Sequence, residues 1–403
     1  MHCLKLTTAS GVPPVRSIEP PHMRQPNEPL PGTRRVAVML DMTWPLRRHI
    51  DVFAGIAKYA AEHPQMKCVV DDFADHTISE AKGKRFTYDG VIARVTPALA
   101  KAAARAKIPL VNVWYNSPVK DLPGVYPDFV ADGRLVAEHF LQRGVRQLLC
   151  MTRRGDHAEE ITAQTIRNLV HAEGGRCDVV SISQRFARSR TNWLKTRKLL
   201  EDWIRSTSLP VGIFAAVDIL GRLVAQACAE MGLHVPSDIA LVAGNNEPTL
   251  CLYPEPSLTS VDVSYDRVGY EAARMMHDLL SDGQKPTRPL VIPPRELIVR
   301  HSSDFLYVED PMVTSAMQFI AAHSRDRISV EDVAEAAGVS RRSLELRFRS
   351  QLNRSVAAEV QRVRIEHARR LLVGSDLSIG SIAKRVGYGT NSQLTRVFQR
   401  EVG

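Results

Sequence analysis

From Arg34 to about Leu297 the chain alternates short, wholly apolar runs with amphipathic stretches, and this alternation restricts the fold more than any single motif. The runs RRVAVMLD, CVVDDF, GVIARV and PLVNVW come first, with helical patterns around IDVFAGIAKYAAEH and PALAKAAARAK. A second series follows, with RQLLCMT, CDVVSI, VGIFAAVD and DIALVAGN as strands. The segments RLVAEHFLQRG, AEEITAQTIRNLVHAEG, TNWLKTRKLLEDWIRS and ILGRLVAQACAEMG are its helices. Strands that are apolar on both faces need cover on both faces, so the pattern predicts parallel sheets between layers of helices. Two series predict two lobes.

Open α/β sheets bind ligands beyond the carboxyl ends of their strands, and two facing lobes turn those ends into a cleft. The residues there are Asp41, Trp114, Asp218, Asn245 and Asn246. Carboxylates and amides can bond neighbouring hydroxyls while an indole covers an apolar ring face, which suits a polyhydroxylated ligand. The same residue types cap helices, and the sequence leaves both roles open.

After Leu297 the alternation stops, HSSDFLYVEDP reads as a linker over 301–311, and everything from Met312 to Gly403 is helical in pattern. That segment holds 15 Lys and Arg against 9 Asp and Glu, so less than a quarter of the chain carries +6 of its +9 net charge. Charge concentrated in this way favours a polyanionic partner. Residues 1–33, rich in proline and polar side chains, read as a flexible tail.

Within the basic segment, ISVEDVAEAAGVSRRSLELRFRSQLN reads as helix, tight turn, helix. Ser329 caps the first helix and Val333, Ala334 and Ala337 form its buried stripe. Gly338 ends it, Val339 plugs the turn and Ser340 caps the second helix, which Leu344 and Phe348 anchor. Arg341, Arg342, Glu345 and Arg349 then face outward, as a helix docking in a major groove requires. The pattern recurs about fifty residues later: Ser378 as cap, Ile379, Ile382 and Ala383 as stripe, Gly387 at the turn, and Leu394 and Phe398 as anchors. Asn391, Ser392, Thr395 and Arg396 are its outward residues. The repetition, more than the charge, predicts two helix-turn-helix units joined by the helix RVRIEHARRLLVGSD.

The segments AAGVSRRSLELRF, RIEHARRLL and SIGSIAKRVGYGTNSQLTRVFQREVG resemble the AraC/XylS family of transcription regulators. That resemblance implies base contacts from Arg341, Arg342 and Glu345 and from Asn391, Ser392, Thr395 and Arg396. Leu346 stands where the family commonly has arginine, and the chain reaches Gly403 before the family's closing Ser-Pro. The front region resembles the sugar-binding core of LacI-type regulators and periplasmic binding proteins, on GIAKYAAEH, DGRLVAEHFLQRGVRQ, FAAVDILGRLVAQACAEMGLHVPSDIALVAGNNE and PSLTSVDVSYDRVGYEAARMMHDLL. It implies ligand contacts at Trp44, Arg47, Arg48, Asp132, Asp218 and the GNNE segment. Asn245 occupies a place often held by aspartate. The combined architecture resembles the xylose operon regulators.

The expected fold is thus a two-lobed α/β domain like periplasmic binding proteins, with parallel sheets, over 34–300, then an all-α double helix-turn-helix domain over 312–403. The implied partners are double-stranded promoter DNA, a monosaccharide such as xylose, a second copy of the chain in a homodimer, and RNA polymerase. Activation of sugar-use genes is the implied output; a non-sugar ligand or repression is the alternative. The sequence holds no G-x-S-x-G elbow, P-loop, H-E-x-x-H or Gly-rich dinucleotide turn, so no catalysis and no cofactor are expected. Six scattered cysteines without zinc spacing suggest no metal and a reducing compartment, and with no long apolar span or secretion signal a cytoplasmic location is expected.

Overall fold

The computed structural model of the chain describes residues 33–42, 47–81, 88–253, 255–283, 286–305, 307–308, 310–374 and 377–402. Lobe 1 begins with β1 (Arg34–Met39), α1 (Arg48–Glu62), β2 (Met66–Val70), α2 (Ala74–Glu80), β3 (Gly90–Ala93), α3 (Pro97–Ala106), β4 (Leu110–Asn112) and β5 (Val125–Pro127). Lobe 2 contains α4 (Phe129–Gln142), β6 (Gln147–Arg153), α5 (His157–Ala172), β7 (Arg176–Ile182), α6 (Arg190–Arg205), β8 (Val211–Ala215), α7 (Asp218–Glu230), β9 (Ile239–Gly244), α8 (Pro248–Leu252) and β10 (Thr259–Asp262). The chain then returns to lobe 1 through α9 (Tyr265–Asp282) and β11 (Leu290–Ile292) and crosses back to lobe 2 at β12 (Glu296–Ile298).

Lobe 1 is a parallel sheet ordered β2-β1-β3-β4, beside a two-stranded β11-β5 pair. Lobe 2 is a sheet ordered β12-β10-β9-β8-β6-β7, parallel except for the β12 edge. Val36, Ala37 and Val38 in β1 and all of β8 and β9 are buried, as doubly covered strands require. Three crossings join the lobes: between β4 and α4, between β10 and α9, and between β11 and β12. Strands β5, β10, β11 and β12 are departures from the expected pattern. Each has three or four residues, too few for periodicity to reveal.

In lobe 1, α1 and α9 touch backbone to backbone. A Cβ at Gly55 would lie 1.8 Å from the Asp266 carbonyl oxygen, and one at Gly269 would lie 1.8 Å from that of Val52. Only glycine permits this approach.

The segment after β12 is packed rather than loose. A 3-10 turn at His301–Ser303 buries Ser302 and Ser303, and Phe305 and Tyr307 are buried behind it. Pro311 stands at the first position of α10 (Pro311–His323), where its missing N–H is not needed. Then come α11 (Val330–Ala336), α12 (Arg341–Leu352), α13 (Val356–Gly374), α14 (Ile379–Arg385) and α15 (Asn391–Val402). One hydrophobic cluster runs from the lobe 2 sheet (Cys150, Phe214, Val242) through Phe305 and Tyr307 to Val313, Met317, Leu344 and Phe348. Ile382, Ala383, Leu394 and Val397 form a separate cluster around α14 and α15. The first helical unit therefore shares the core of lobe 2, and the second has its own.

Candidate ligand cleft and nucleic-acid interface

A cavity of about 250 Å³ lies between the lobes. Lobe 1 contributes Arg48 and His49 from the first turn of α1, Arg94 after β3, and Trp114 and Asn116 after β4. Lobe 2 contributes Asp132 and Phe129 from α4, Arg153 from β6, Asp156 and Glu159 from the start of α5, and Asn245 after β9. A second cavity of about 330 Å³ shares Arg48, Asn245 and Tyr265 with the first and adds Arg47, Asp51, Asp218, Asn246, Glu247 and Arg295.

Asp132 is the most exceptional group in the first cavity. Asp128 caps α4 through the Val130 and Ala131 amides, which turns Asp132 inward, 5% exposed. Its Oδ1 meets no hydrogen-bond donor among the described residues. Burial, with a smaller push from Asp128, raises its pKa to about 8. Arg153 sits opposite, bonded to Glu159 at 2.6 Å and to Asp156 at 3.0 Å. The Asn116 amide donates to Asp156 at 2.8 Å and so links the two lobes. Arg94 lies over the Trp114 ring at 4.6 Å, covering one face of the indole. His49 donates from Nδ1 to the Asp41 carbonyl at 2.9 Å. Burial pushes its pKa down to about 4, against that bond and with help from Arg48 and Arg94, so the ring is neutral at pH 7.

The other residues singled out in the sequence divide. Asp218 lines only the second cavity, where it accepts from Ser260 Oγ at 2.6 Å and from the Glu247 amide at 2.8 Å. Burial raises its pKa to about 6 against those bonds. It braces the β9–α8 turn as well as facing the cleft. Asn245 and Asn246 have left-handed backbones, φ 88° and 51°. Asn245 accepts from Tyr265 Oη at 3.1 Å, and Asn246 accepts from Arg300 at 2.7 Å. Arg47 is exposed at the rim, paired with Asp51 at 2.9 Å, while its amide reaches Glu247 of lobe 2 at 3.1 Å. Asp41 is exposed and lines neither cavity, although it follows β1, two residues past Met39. Trp44 lies outside the described residues. The sequence alone does not single out His49, Arg94, Asn116, Arg153, Asp156 and Glu159, although Arg94 and Arg153 stand at strand ends just as the acidic and amide residues do.

Helix α4 links this cavity to the helical half. Two turns beyond Asp132, His139 donates from Nε2 to Ser303 Oγ at 2.6 Å, and Ser303 donates onward to Thr259 at 2.7 Å. At the end of α4, the Arg143 carbonyl accepts from the Tyr307 amide at 2.8 Å.

In the helical half the local signals behave as the sequence predicts. Ser329 and Asp332 form a reciprocal capping box, Ser340 caps α12 and Ser378 caps α14. Gly338 and Gly387 have φ of 69° and 85° at the two turns. Val333, Ala334, Ala337, Leu344 and Phe348 are buried. Ile379 is a correction: it is 53% exposed, and Val386 fills the stripe in its place. Phe398 is only partly buried, with Val397 beside Leu394 as the inner anchor. Arg342 and Arg349 of α12 and Asn391, Ser392, Thr395 and Arg396 of α15 are exposed. Arg341 pairs with Glu331 of α11. Glu345 is half-buried, with Oε2 enclosed and without a hydrogen-bond partner among the described residues. Helix α13 spaces the two outward faces with a rod of about 28 Å.

Residues 137–303 match the periplasmic binding protein-like domain family and residues 333–403 match a helix-turn-helix domain family. These matches and the fold give the class of its parts: a periplasmic binding protein-like domain followed by a helix-turn-helix domain. Within it, the chain is similar to the xylose operon regulatory protein of Escherichia coli strain K12, 31% identical over 209 residues, 52% of this chain and 53% of that protein. A putative AraC-like transcription regulator of Streptomyces lividans is 35% identical over 94 residues, 23% of this chain and 31% of its own length. The chain spans about half the length of the xylose regulators it matches. A solved structure of a xylose-binding transcription activator superposes with a TM-score of 0.70 at 24% identity, covering 92% of this chain and 96% of that one. A ribose-bound LacI family regulator from Enterococcus faecium covers 68% of this chain and 100% of its own at a TM-score of 0.54 and 17% identity. These two likenesses are of fold. No helix among the described residues is long and apolar enough to cross a membrane.

Proposed function

We propose that this protein is a ligand-responsive, sequence-specific DNA-binding transcription regulator. Residues 34–300 form the sensor, 301–311 the join and 312–403 the DNA-binding domain. A monosaccharide in the interlobe cleft is the signal; the relatives named for xylose, and the ribose-bound LacI-type neighbour, support a sugar. The observation that carries the reading is the single hydrophobic cluster that unites lobe 2 with the first helix-turn-helix unit. A ligand that draws the lobes together shifts lobe 2 relative to lobe 1, and the first unit moves with it because they share a core.

Arg341, Arg342, Glu345 and Arg349 enter one major-groove segment and Asn391, Ser392, Thr395 and Arg396 enter the next. Two chains pair through their sensor lobes, so closure changes whether both DNA-binding domains hold tandem half-sites together. The output is activation of sugar-use genes in the cytoplasm, through DNA placement beside RNA polymerase. Footprinting on the upstream DNA of neighbouring sugar-use genes, with and without a monosaccharide panel at fixed salt, tests this. Protection of direct repeats that strengthens with one sugar is the expected result; no protected DNA under any condition contradicts it.

A further inference from the structure

Each lobe places one side chain on the start of a helix in the other. Asn116 of lobe 1 stands at the first turn of α5, where its amide donates to Asp156 Oδ1 at 2.8 Å and its carbonyl accepts from the Ala158 amide at 3.3 Å. The opening amides of a helix have no partner within it, and Asp156, the N-cap of α5, bonds the amide of Glu159. Asn116 therefore supplies a second cap from across the cleft. In the reverse direction, Glu247 of lobe 2 accepts from the Arg47 amide at 3.1 Å, at the start of α1, where Arg47 offers no side-chain cap.

Both side chains are rooted in their own lobe. The turn carrying Asn116 is closed by the Ser117 amide on the Trp114 carbonyl at 3.0 Å. Asn112, buried at the end of β4, fixes the same turn by accepting from the Trp114 amide and donating to its carbonyl, each at 3.1 Å. The Glu247 amide is held by Asp218, which Ser260 holds in turn. Asn116 lines the 250 Å³ cavity and Glu247 the 330 Å³ cavity, so the cleft is fastened at both.

We propose that Asn116 and Glu247 are positioning residues that hold the cleft closed, each by capping a helix of the opposite lobe. Parting the lobes breaks three hydrogen bonds and returns helix-terminal amides of α1 and α5 to water. These swapped caps act on the same open–closed equilibrium as a ligand and hold for a cleft ligand of any class. Only their effect on DNA rests on the regulator reading.

Double electron–electron resonance on the full, ligand-free chain tests this. Spin labels go on exposed positions of the two lobes, Lys101→Cys and Lys195→Cys, with Cys3→Ser and Cys68→Ser, diluted into unlabelled chain. The expected result is a longer interlobe distance gaining population in Asn116→Ala, Asn116→Asp and Glu247→Ala, each lowering the closed-to-open ratio by about 2- to 12-fold, the scale of one net hydrogen bond. Glu247→Gln keeps an acceptor and stays closed. Asn116→Asp keeps the size of the side chain while setting a second carboxylate against Asp156, so capping is separated from packing even where an alanine variant fails to fold. Unchanged distances in Asn116→Asp and Glu247→Ala overturn the proposal, as does equal opening in Glu247→Gln and Glu247→Ala. Lobes that open while DNA affinity stays unaltered contradict the coupling of cleft to DNA and leave the swapped caps standing.

Discussion

Arg362 of α13 donates to Asp304 at 2.8 Å and to Glu359 at 2.9 Å, so one guanidinium ties the last turn of the two-lobed half to the helix that spaces the two helix-turn-helix units. Glu359 is 2% exposed and also meets Arg354 at 2.9 Å. Burial alone would raise the Asp304 pKa, but Arg362 and Arg143 outweigh it and hold the carboxyl below its usual range.

Removing this tie leaves two carboxylates without their main cation. Arg362→Ala lowers stability by about 3 kcal/mol, the low end for a broken buried pair because the arginine is partly exposed. Because the folded pKa of Asp304 is depressed, its contribution is present above the unfolded pKa near 3.9 and is lost as pH falls through the lower folded value. Urea titrations between about pH 2 and pH 7 therefore show a steeper acid loss in the unaltered protein than in Arg362→Ala. Parallel acid limbs count against the assignment.

Asp132 carries the opposite sign. A carboxyl whose pKa rises to about 8 stays protonated in the folded chain while the unfolded chain ionises, so stability falls as pH climbs from about 4 to about 8. Asp132→Asn removes that loss and raises stability at pH 8 by roughly 2–4 kcal/mol. It also weakens ligand binding by about 0.5–1.5 kcal/mol, because the neutral carboxyl that bonds a ligand hydroxyl is replaced by an amide. A variant no more stable at pH 8 than the unaltered chain means that Asp132 ionises freely.

The exposed residues of α12 and α15 separate reading from folding. Arg342→Ala and Arg396→Ala should each cost about 1–3 kcal/mol of specific DNA affinity while leaving thermal unfolding unchanged. Leu346, 62% exposed on α12, cannot meet a phosphate, and the apolar group it can meet in the major groove is the thymine methyl. Leu346→Ala changes preference at one A·T pair and leaves the others alone. A uniform loss across all positions assigns it to packing instead.

Helix contact in lobe 1 depends on two glycines. Gly269→Ala places a methyl 1.8 Å from the Val52 carbonyl and should cost about 1–3 kcal/mol as α9 is pushed off α1. Denaturant midpoints measure this, and a neutral substitution contradicts the close packing.

The helix-turn-helix pair is legible in the sequence because its determinants are local: Ser329, Ser340 and Ser378 accept from amides within one turn, and Gly338 and Gly387 take left-handed φ. Ile379 misleads because α14 has only seven residues, too short to fix which apolar positions share a face. The long strands are legible from continuous burial. The cleft is only half legible. Asp132 looks like an ordinary first-turn acid of α4, and resemblance alone draws attention to it. Arg94 and Arg153 are basic residues that end strands, a type read by default as surface; Trp114 meets Arg94 only where β3 and β4 lie side by side, and Asp156 and Glu159, three and six residues after Arg153, read as ordinary acids at the start of α5. Asp218 is found where expected, but its bonds to Ser260 and Glu247 depend on β10 and the β9–α8 turn, which no local pattern encodes.

Occupancy of the interlobe cleft is expected to alter DNA binding through the shared core of lobe 2 and the first helical unit. Fluorescence anisotropy of the full chain on DNA selected from a random pool, at fixed salt, with and without the sugar that the footprinting panel identifies, measures it directly. The expected result is a shift in DNA affinity of about 5- to 150-fold, the usual range of coupling between sites, and loss of that shift in Asp132→Asn and Arg362→Ala. A sugar that saturates the cleft and leaves DNA affinity unchanged contradicts it.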